Sequence, residues 1–153
     1  MNLKKLININ FWRFDHKHYK DLYDYDIRFN ASFRNTEKLS KDVLRSYELK
    51  CLSLYRKAQV AQGTVWGKYY FHKLKKFGLC TGINLWQNMH IGRGLIIGHS
   101  GTIILNSDAV FGDCIFLTHG VTPSAAMCVA GVKVHLPLAT MSVSVPILLW
   151  SER

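Results

Sequence analysis

The chain has 153 residues, of which 48% are hydrophobic and 20% are charged, and this composition excludes a disordered or fibrous protein. The formal net charge of +10 arises in residues 1–80, where seventeen Lys and Arg accompany seven Asp and Glu; residues 81–153 carry three of each. No nucleic-acid-binding motif accompanies the basic half. We therefore interpret it as a solvated helical surface and predict no nucleic-acid partner, with a basic-helix nucleic-acid binder as the lowest-ranked alternative.

Cysteine spacing and the N-terminal residues indicate a cytoplasmic protein. The four cysteines lie far apart, with no C-x-x-C pair and no histidine at zinc-ligand spacing, so no metal site is predicted. They are expected to be reduced thiols: Cys51, Cys80, Cys114 and Cys128. The first residues, MNLKKLININFW, lack the apolar core of a signal peptide, and no apolar run reaches the ~20 residues of a membrane span.

Two amphipathic helices are predicted in the N-terminal half, whereas residues 1–34 show no clear periodicity. The first helix has Ser40 as its N-cap and ends at residues 61–63. Its apolar face consists of Val43, Leu44, Tyr47, Cys51, Leu54, Tyr55 and Ala58. The second helix has Thr64 as its N-cap and Gly78 as the residue that follows its last turn. Its core face consists of Trp66, Tyr70, Leu74 and Phe77.

A six-residue repeat occupies residues 85–122. An aliphatic or aromatic residue opens each of six hexads: Leu85, Ile91, Ile97, Leu105, Phe111 and Leu117. The pair Ile103-Ile104 is inserted between the third and fourth hexads. Repeats of this period build parallel β-helices, in which each hexad is one short strand plus a corner and three hexads make a coil. The predicted fold is therefore α+β, with helices in residues 1–80 covering the open end of a truncated β-helix in residues 81–122.

The segment IGRGLIIGHSG at residues 91–101, followed by A-V-x-G and G-V-T, resembles the serine O-acetyltransferase branch of the hexapeptide-repeat acyltransferases. It is similar in particular to shorter members encoded with capsule and exopolysaccharide genes, and the resemblance covers residues 40–122. The resemblance implies a left-handed β-helix that transfers an acetyl group from acetyl-CoA to a hydroxyl. The acceptor would be serine, as in cysteine biosynthesis, or a sugar of a capsule or exopolysaccharide. The family assembles as trimers or dimers of trimers, which implies a homotrimer here.

The same resemblance implies roles for four residues. His99 would be the general base, because a hydroxyl must lose its proton as it attacks a thioester and imidazole titrates near the working pH. Asn84 stands where the family has a carboxylate that orients this histidine. Gly98 stands where the family has an aspartate that contacts the amino group of serine. His119 is a further candidate for contact with the acceptor, whose identity these departures leave open.

Residues 123–153 break the repeat and contain no recognisable acetyl-CoA coil. Residues 123–127 can be encoded as CCA-TCG-GCC-GCA-ATG, and this DNA spells Ile-Gly-Arg-Asn when it is read from the third base. Codons for residues 137–142 likewise permit Ile-Gly-Asp-Asn-Val in another frame. We hypothesise a frameshifted tail, with a divergent C-terminal strand and hairpin as the alternative; the coding DNA distinguishes them, since the other frame must spell hexads. In the resembled family the replaced coils carry much of the acetyl-CoA groove. Activity is therefore expected to be weak or absent, and an inactive β-helix remnant is a second function hypothesis.

Overall fold

The computed structural model describes residues 12–107, 110–120, 127–128 and 133–134, and over these residues the fold is α+β. The helices are α1 (His16–Phe33), α2 (Lys41–Leu44), α3 (Tyr47–Val60) and α4 (Val65–Thr81). The strands are β1 (Ile83–Asn84), β2 (His90–Ile91), β3 (Ile96–Ile97), β4 (Ile103–Ile104), β5 (Val110–Phe111), β6 (Phe116–Leu117), β7 (Met127–Cys128) and β8 (Lys133–Val134). None of the helices in this part of the chain is long and apolar enough to cross a membrane.

Helix α1 lies in the region where hydrophobic periodicity predicts no helix. The carboxylate of Asp15 caps its first turn by accepting a hydrogen bond from the backbone N–H of His18 at 3.0 Å. The fully buried residues of α1 are Asp26, Asn30 and Ala31. Tyr23 and Ile27 also pack against the core, so the inward face of the helix mixes polar and apolar residues and hydrophobic spacing alone gives a weak signal.

The prediction of one continuous helix over residues 40–61 is wrong, since the segment forms the two helices α2 and α3. Ser40 caps α2 as predicted, and Ser46 caps α3 in the same way, each accepting from the backbone N–H three residues later. This second cap restarts the helix in a new phase. Leu44 and Tyr47, assigned to the apolar face, are 42% and 60% exposed on either side of this break. Other residues of the predicted face are buried: Cys51, Tyr55 and Ala58.

Helix α4 begins at its predicted cap and ends later than predicted. The hydroxyl of Thr64 accepts from the backbone N–H three residues later. Gly78 lies inside the helix, and Gly82, at a φ of +72°, is the residue that ends it. Gly78 instead permits close packing, because a Cβ there would lie 2.5 Å from the carbonyl oxygen of the first residue of β1. Leu74 is buried as predicted, whereas Trp66 is 42% exposed.

The repeat forms two strand triplets, β1–β3 and β4–β6, in which each strand pairs in parallel with the strand three later in the chain. The paired positions include Ile83 with Ile103, Ile91 with Phe111, and Ile97 with Leu117. Each pair is 20 residues apart, which equals three hexads plus the two-residue insertion. The inserted pair is itself β4, so the insertion is accommodated in a strand.

The residues that open the hexads point into the core. None is more than 4% exposed: Leu85, Ile91, Ile97, Leu105, Phe111 and Leu117. They form one apolar cluster with Leu52 and Tyr55 of α3 and Leu74 of α4. The helices contact the first triplet, α1 and α3 against β3 and α4 against β1. The core therefore runs from the helical layer into the interior of the strand triplets.

The two last strands follow a different pattern. β7 and β8 pair in antiparallel orientation, in contrast to the parallel pairs of the triplets. Apart from these four backbone positions, the predicted tail at residues 123–153 lies outside the described residues. The frameshift hypothesis therefore stays a prediction.

Burial in the core makes Cys51 a test of the packing of α3. Its burial raises the pKa of the thiol from 9.0 to about 12, whereas Cys80 and Cys114 are exposed. Since the reactive thiolate forms only as the pH rises toward this raised pKa, about one thiol in a thousand is ionised at pH 9. We expect iodoacetamide at pH 8.5 to alkylate Cys80 and Cys114 while sparing Cys51, measured by peptide mass spectrometry. Equal labelling in the native protein, without urea, would contradict the buried position.

Candidate functional site

Buried polar side chains of the helical layer hold the backbone of residues 91–95. Asp26 of α1 and Arg56 of α3 form a bidentate ion pair with N–O distances of 2.7 and 3.0 Å, and neither side chain is exposed. Asp26 also accepts from the backbone N–H groups of Gly94 and Leu95, at 2.8 and 3.0 Å. Arg56 donates to two carbonyl oxygens at the start of the segment, at 2.7 and 2.5 Å. The helices therefore fix the position of the segment that leads through β3 to His99.

His99 lies exposed in the corner between β3 and β4. The corner is tied to the helical layer at two consecutive backbone groups. The N–H of Ser100 donates to the carboxylate of Glu48, on the first turn of α3, at 2.8 Å. The N–H of Gly101 donates to the carbonyl oxygen of Thr81, the last residue of α4, at 3.0 Å. The imidazole therefore projects into solvent from a backbone that two helices hold.

The structure brings His99 and His119 together. Their ring centroids are 6.3 Å apart with an interplanar angle of 61°, and both residues are exposed. His119 follows β6 and occupies the corresponding corner of the second triplet. Gly101, at a φ of +148°, permits this approach, because a Cβ there would lie 3.0 Å from the Cβ of His119. One imidazole can accept a proton while the other contacts the same bound molecule.

Asn84 is held by a residue other than His99. Its carboxamide oxygen accepts from the ammonium of Lys75 at 2.8 Å, and that ammonium lies 3.1 Å from the centroid of the Trp86 ring. Burial lowers the pKa of Lys75. Within the described ranges, the hydrogen bonds of Asn84 do not include one to His99. The carboxamide oxygen of Asn84 is thus bonded to Lys75, and the orienting role that the resemblance assigns to Asn84 stays a prediction.

Gly98 cannot be replaced by a residue with a side chain unless the ring of Phe116 shifts. A Cβ at this position would lie 2.8 Å from Cζ of Phe116. The Phe116 ring stacks on Phe33 at the end of α1, with centroids 5.0 Å apart, so it is held from the other side. The N–H of Gly98 donates to the carbonyl oxygen of Leu117 at 2.8 Å. This position therefore offers a ligand no side chain and no unused N–H group.

Glu48 is the residue of this site that sequence reasoning missed. It lies 52 residues from Ser100, and the only local signal is an acidic residue in the first turn of a helix. Burial raises the pKa of its carboxyl group, but hydrogen bonds from its own backbone N–H and from Ser100 outweigh this effect, and the net shift is downward. Glu48 is therefore an ionised acceptor beside the histidine corner.

Ligand sites were sought across the same part of the chain. No group of three or more His, Cys, Asp or Glu residues among residues 12–107 and 110–120 could hold a metal ion. An open groove of about 690 Å³ runs along α1, lined by Tyr25, Arg28 and Arg93 among others, and its lining does not include the histidine pair. The acetyl-CoA contacts implied by the resemblance are expected beyond residue 122, where only the backbone of residues 127–128 and 133–134 is described.

Comparisons with known proteins leave the site to be interpreted from its own geometry. No protein-family model matches the chain, and no curated protein matches it. The site offers two adjacent imidazoles on corresponding corners of the two triplets, and Glu48 anchors the corner that carries His99.

Proposed function

We propose that the chain is of the O-acetyltransferase type and transfers an acetyl group from acetyl-CoA to a hydroxyl acceptor. The observation that carries this proposal is the exposed His99 imidazole, held in a strand corner beside His119. An imidazole nitrogen of His99 would take the hydroxyl proton as the oxygen attacks, a contribution of about 10²–10⁴-fold. Acetyl-CoA, when bound, supplies the thioester that makes the acetyl group transferable. The hydroxyl oxygen would attack the thioester carbon directly, the C–S bond would break, and coenzyme A would leave as the thiol after taking the proton from the imidazolium, so no nucleophilic side chain is needed.

The fold that we propose for this activity is a left-handed β-helix. Three parallel strand pairs with a constant 20-residue offset support a three-sided coil. The six buried residues that open the hexads support an interior that is filled by side chains. The left hand comes from the resemblance of residues 91–101 to the acyltransferases.

The surroundings of Gly98 favour a sugar hydroxyl over serine as the acceptor. In the resembled family this position carries the carboxylate that contacts the amino group of serine. Here the ring of Phe116 fills the space that a side chain at position 98 would need. A sugar has no ammonium group to neutralise, so its binding does not require this carboxylate. Serine remains the acceptor to compare with it.

Exposed apolar residues favour assembly and also support a second candidate function. Ile104 and Val110 are 44% and 48% exposed on the successive strands β4 and β5. Such residues on an outer strand face are suited to contact a second copy, and we propose a homotrimer or a dimer of trimers. A non-catalytic β-helix that only assembles with other chains would use the same residues.

A thiol-release assay with acetyl-CoA and either serine or capsule sugars tests the catalytic proposal. On the hypothesis that a frameshifted tail replaces the cofactor coils, we expect slow release that requires an acceptor. His99→Ala should lower it by about 10²–10⁴-fold, the contribution of a general base. His90→Ala is the matched control, since His90 is an exposed histidine of the same repeat on β2. If the original chain releases thiol no faster than His99→Ala, the catalytic proposal fails and the non-catalytic assembly function remains. Robust turnover by the original chain would contradict the expectation that its tail impairs activity.

A further inference from the structure

We propose that Glu48 is a positioning residue for His99 and acts through the backbone N–H of Ser100. This inference rests on the proposed role of His99 as the base. The carboxylate of Glu48 accepts from that N–H at 2.8 Å, and Ser100 is the next residue after His99. A hydrogen bond to an ionised acceptor is about twice as strong as a neutral one. It therefore restrains the backbone from which the imidazole projects.

Glu48 is itself held in place at the start of α3. Ser46 caps this helix by accepting from the backbone N–H of Leu49 at 3.3 Å. The carboxylate also accepts from its own backbone N–H, as expected for an acidic residue in a first turn. Glu48 is half-buried, so its side chain has fewer conformations to lose when it binds Ser100.

The other end of α3 is anchored on the first strand triplet. The hydroxyl of Tyr55 donates to the carbonyl oxygen of Met89 at 3.0 Å. The next residue, Arg56, bonds to Asp26 and to the start of the 91–95 segment. Because the helix is fixed at these points, the contact at Glu48 locates the histidine corner relative to the core.

The other polar groups considered for positioning His99 are bonded elsewhere or lack a side chain. The carboxamide of Asn84, the counterpart of the family's orienting carboxylate, is bonded to Lys75. Gly98 has no side chain, and its N–H is bonded within the strand triplets. Glu48 is the carboxylate that bonds to the His99 corner among the hydrogen bonds of the described residues. A displaced general base can cost about 10²-fold in rate, so this contact is expected to affect the chemical step.

The test compares Glu48→Ala, Glu48→Gln and the control Glu37→Ala in the full chain. Glu37 is an exposed glutamate outside the site, so its removal changes the net charge equally. Hydrogen exchange measured by NMR should show the Ser100 amide exchanging about tenfold faster in Glu48→Ala and about threefold faster in Glu48→Gln. The carboxamide of Gln keeps an acceptor for the same N–H but loses the charge. The control should exchange like the original chain.

The kinetic arm separates positioning from substrate binding. For the fraction of protein that is folded, kcat should fall about tenfold in Glu48→Ala with KM changed less than twofold, and Glu48→Gln should recover most of the loss. Unchanged Ser100 exchange in both variants overturns the proposal. A loss of stability with kcat unaltered also overturns it, because that is a structural role alone. If the original chain shows no turnover that depends on His99, the proposed function fails, and Ser100 exchange by itself decides whether Glu48 fixes the corner.

Discussion

Replacing Asp26 with alanine is expected to lower the free energy of unfolding by about 3–5 kcal/mol, the cost of removing one partner of a buried ion pair. The change leaves the Arg56 guanidinium buried without its carboxylate. It also leaves the N–H groups of Gly94 and Leu95 without their acceptor. Urea unfolding followed by circular dichroism measures the difference. The effect should extend to the strands, because Asp26 joins α1 to the segment that leads to His99.

Asp24→Ala is the matched control, since Asp24 is an exposed carboxylate two residues away on the same helix. Asp24→Ala changes the net charge and the helix propensity as Asp26→Ala does, but it is expected to lower the free energy of unfolding by less than about 1 kcal/mol. Replacing Asp26 and Arg56 together by apolar residues should still destabilise, because the backbone groups they bind would lose their partners. Equal effects of Asp26→Ala and Asp24→Ala would refute the buried network.

Ile103→Ala and Ile104→Ala are expected to differ strongly although the two residues are adjacent in β4. Ile103 is 0% exposed, so truncation removes buried methyl groups and leaves a cavity, at a cost of about 2–5 kcal/mol. Ile104 is 44% exposed, and its truncation is expected to cost less than about 1 kcal/mol. Urea midpoints measured at one protein concentration, with the m-value as a check, provide the comparison.

This pair tests the phase of the strands, because a shift by one residue would exchange the two side chains between core and solvent. A larger loss for Ile104→Ala would mean that the inserted pair is in the other phase. If Ile104 lies in a subunit contact, its effect should decrease with dilution, because the contact is lost from both proteins as they dissociate, whereas the effect of Ile103→Ala should not. Repeating both measurements at a tenfold lower concentration distinguishes these contributions.

The repeat and the helix caps were predictable because both depend on residues close together in the chain. The residues that open the hexads recur every six positions with one two-residue step, and this spacing matches the observed 20-residue offset, as in the pairing of Ile91 with Phe111. Ser40 and Thr64 bond to N–H groups three residues away, so their capping role is visible in a short window. The break at Ser46 was missed because the apolar spacing continues through it.

The polar part of the structure was less accessible to prediction. On the face that packs Tyr23 and Ile27 against the core, helix α1 also buries Asp26 and Asn30. Hydropathy treats such residues as surface residues, and it cannot identify the backbone groups that satisfy them. The orienting role assigned to Asn84 came from its alignment with the resembled family, and position alone could not show that Lys75 binds its oxygen.

Local spacing was thus enough to place the repeat and its inward-facing side chains, whereas the candidate base His99 came from the resemblance of residues 91–101 to the acyltransferases. Such patterns can be recognised from neighbouring residues because each strand must present alternate side chains to the core. The support of the site depends on contacts between distant segments: Asp26 with residues 68 and 69 positions later, and Glu48 with Ser100, 52 positions later. Folding alone brings these groups within hydrogen-bonding distance, because their partners are backbone atoms that every residue possesses and no side-chain pattern marks.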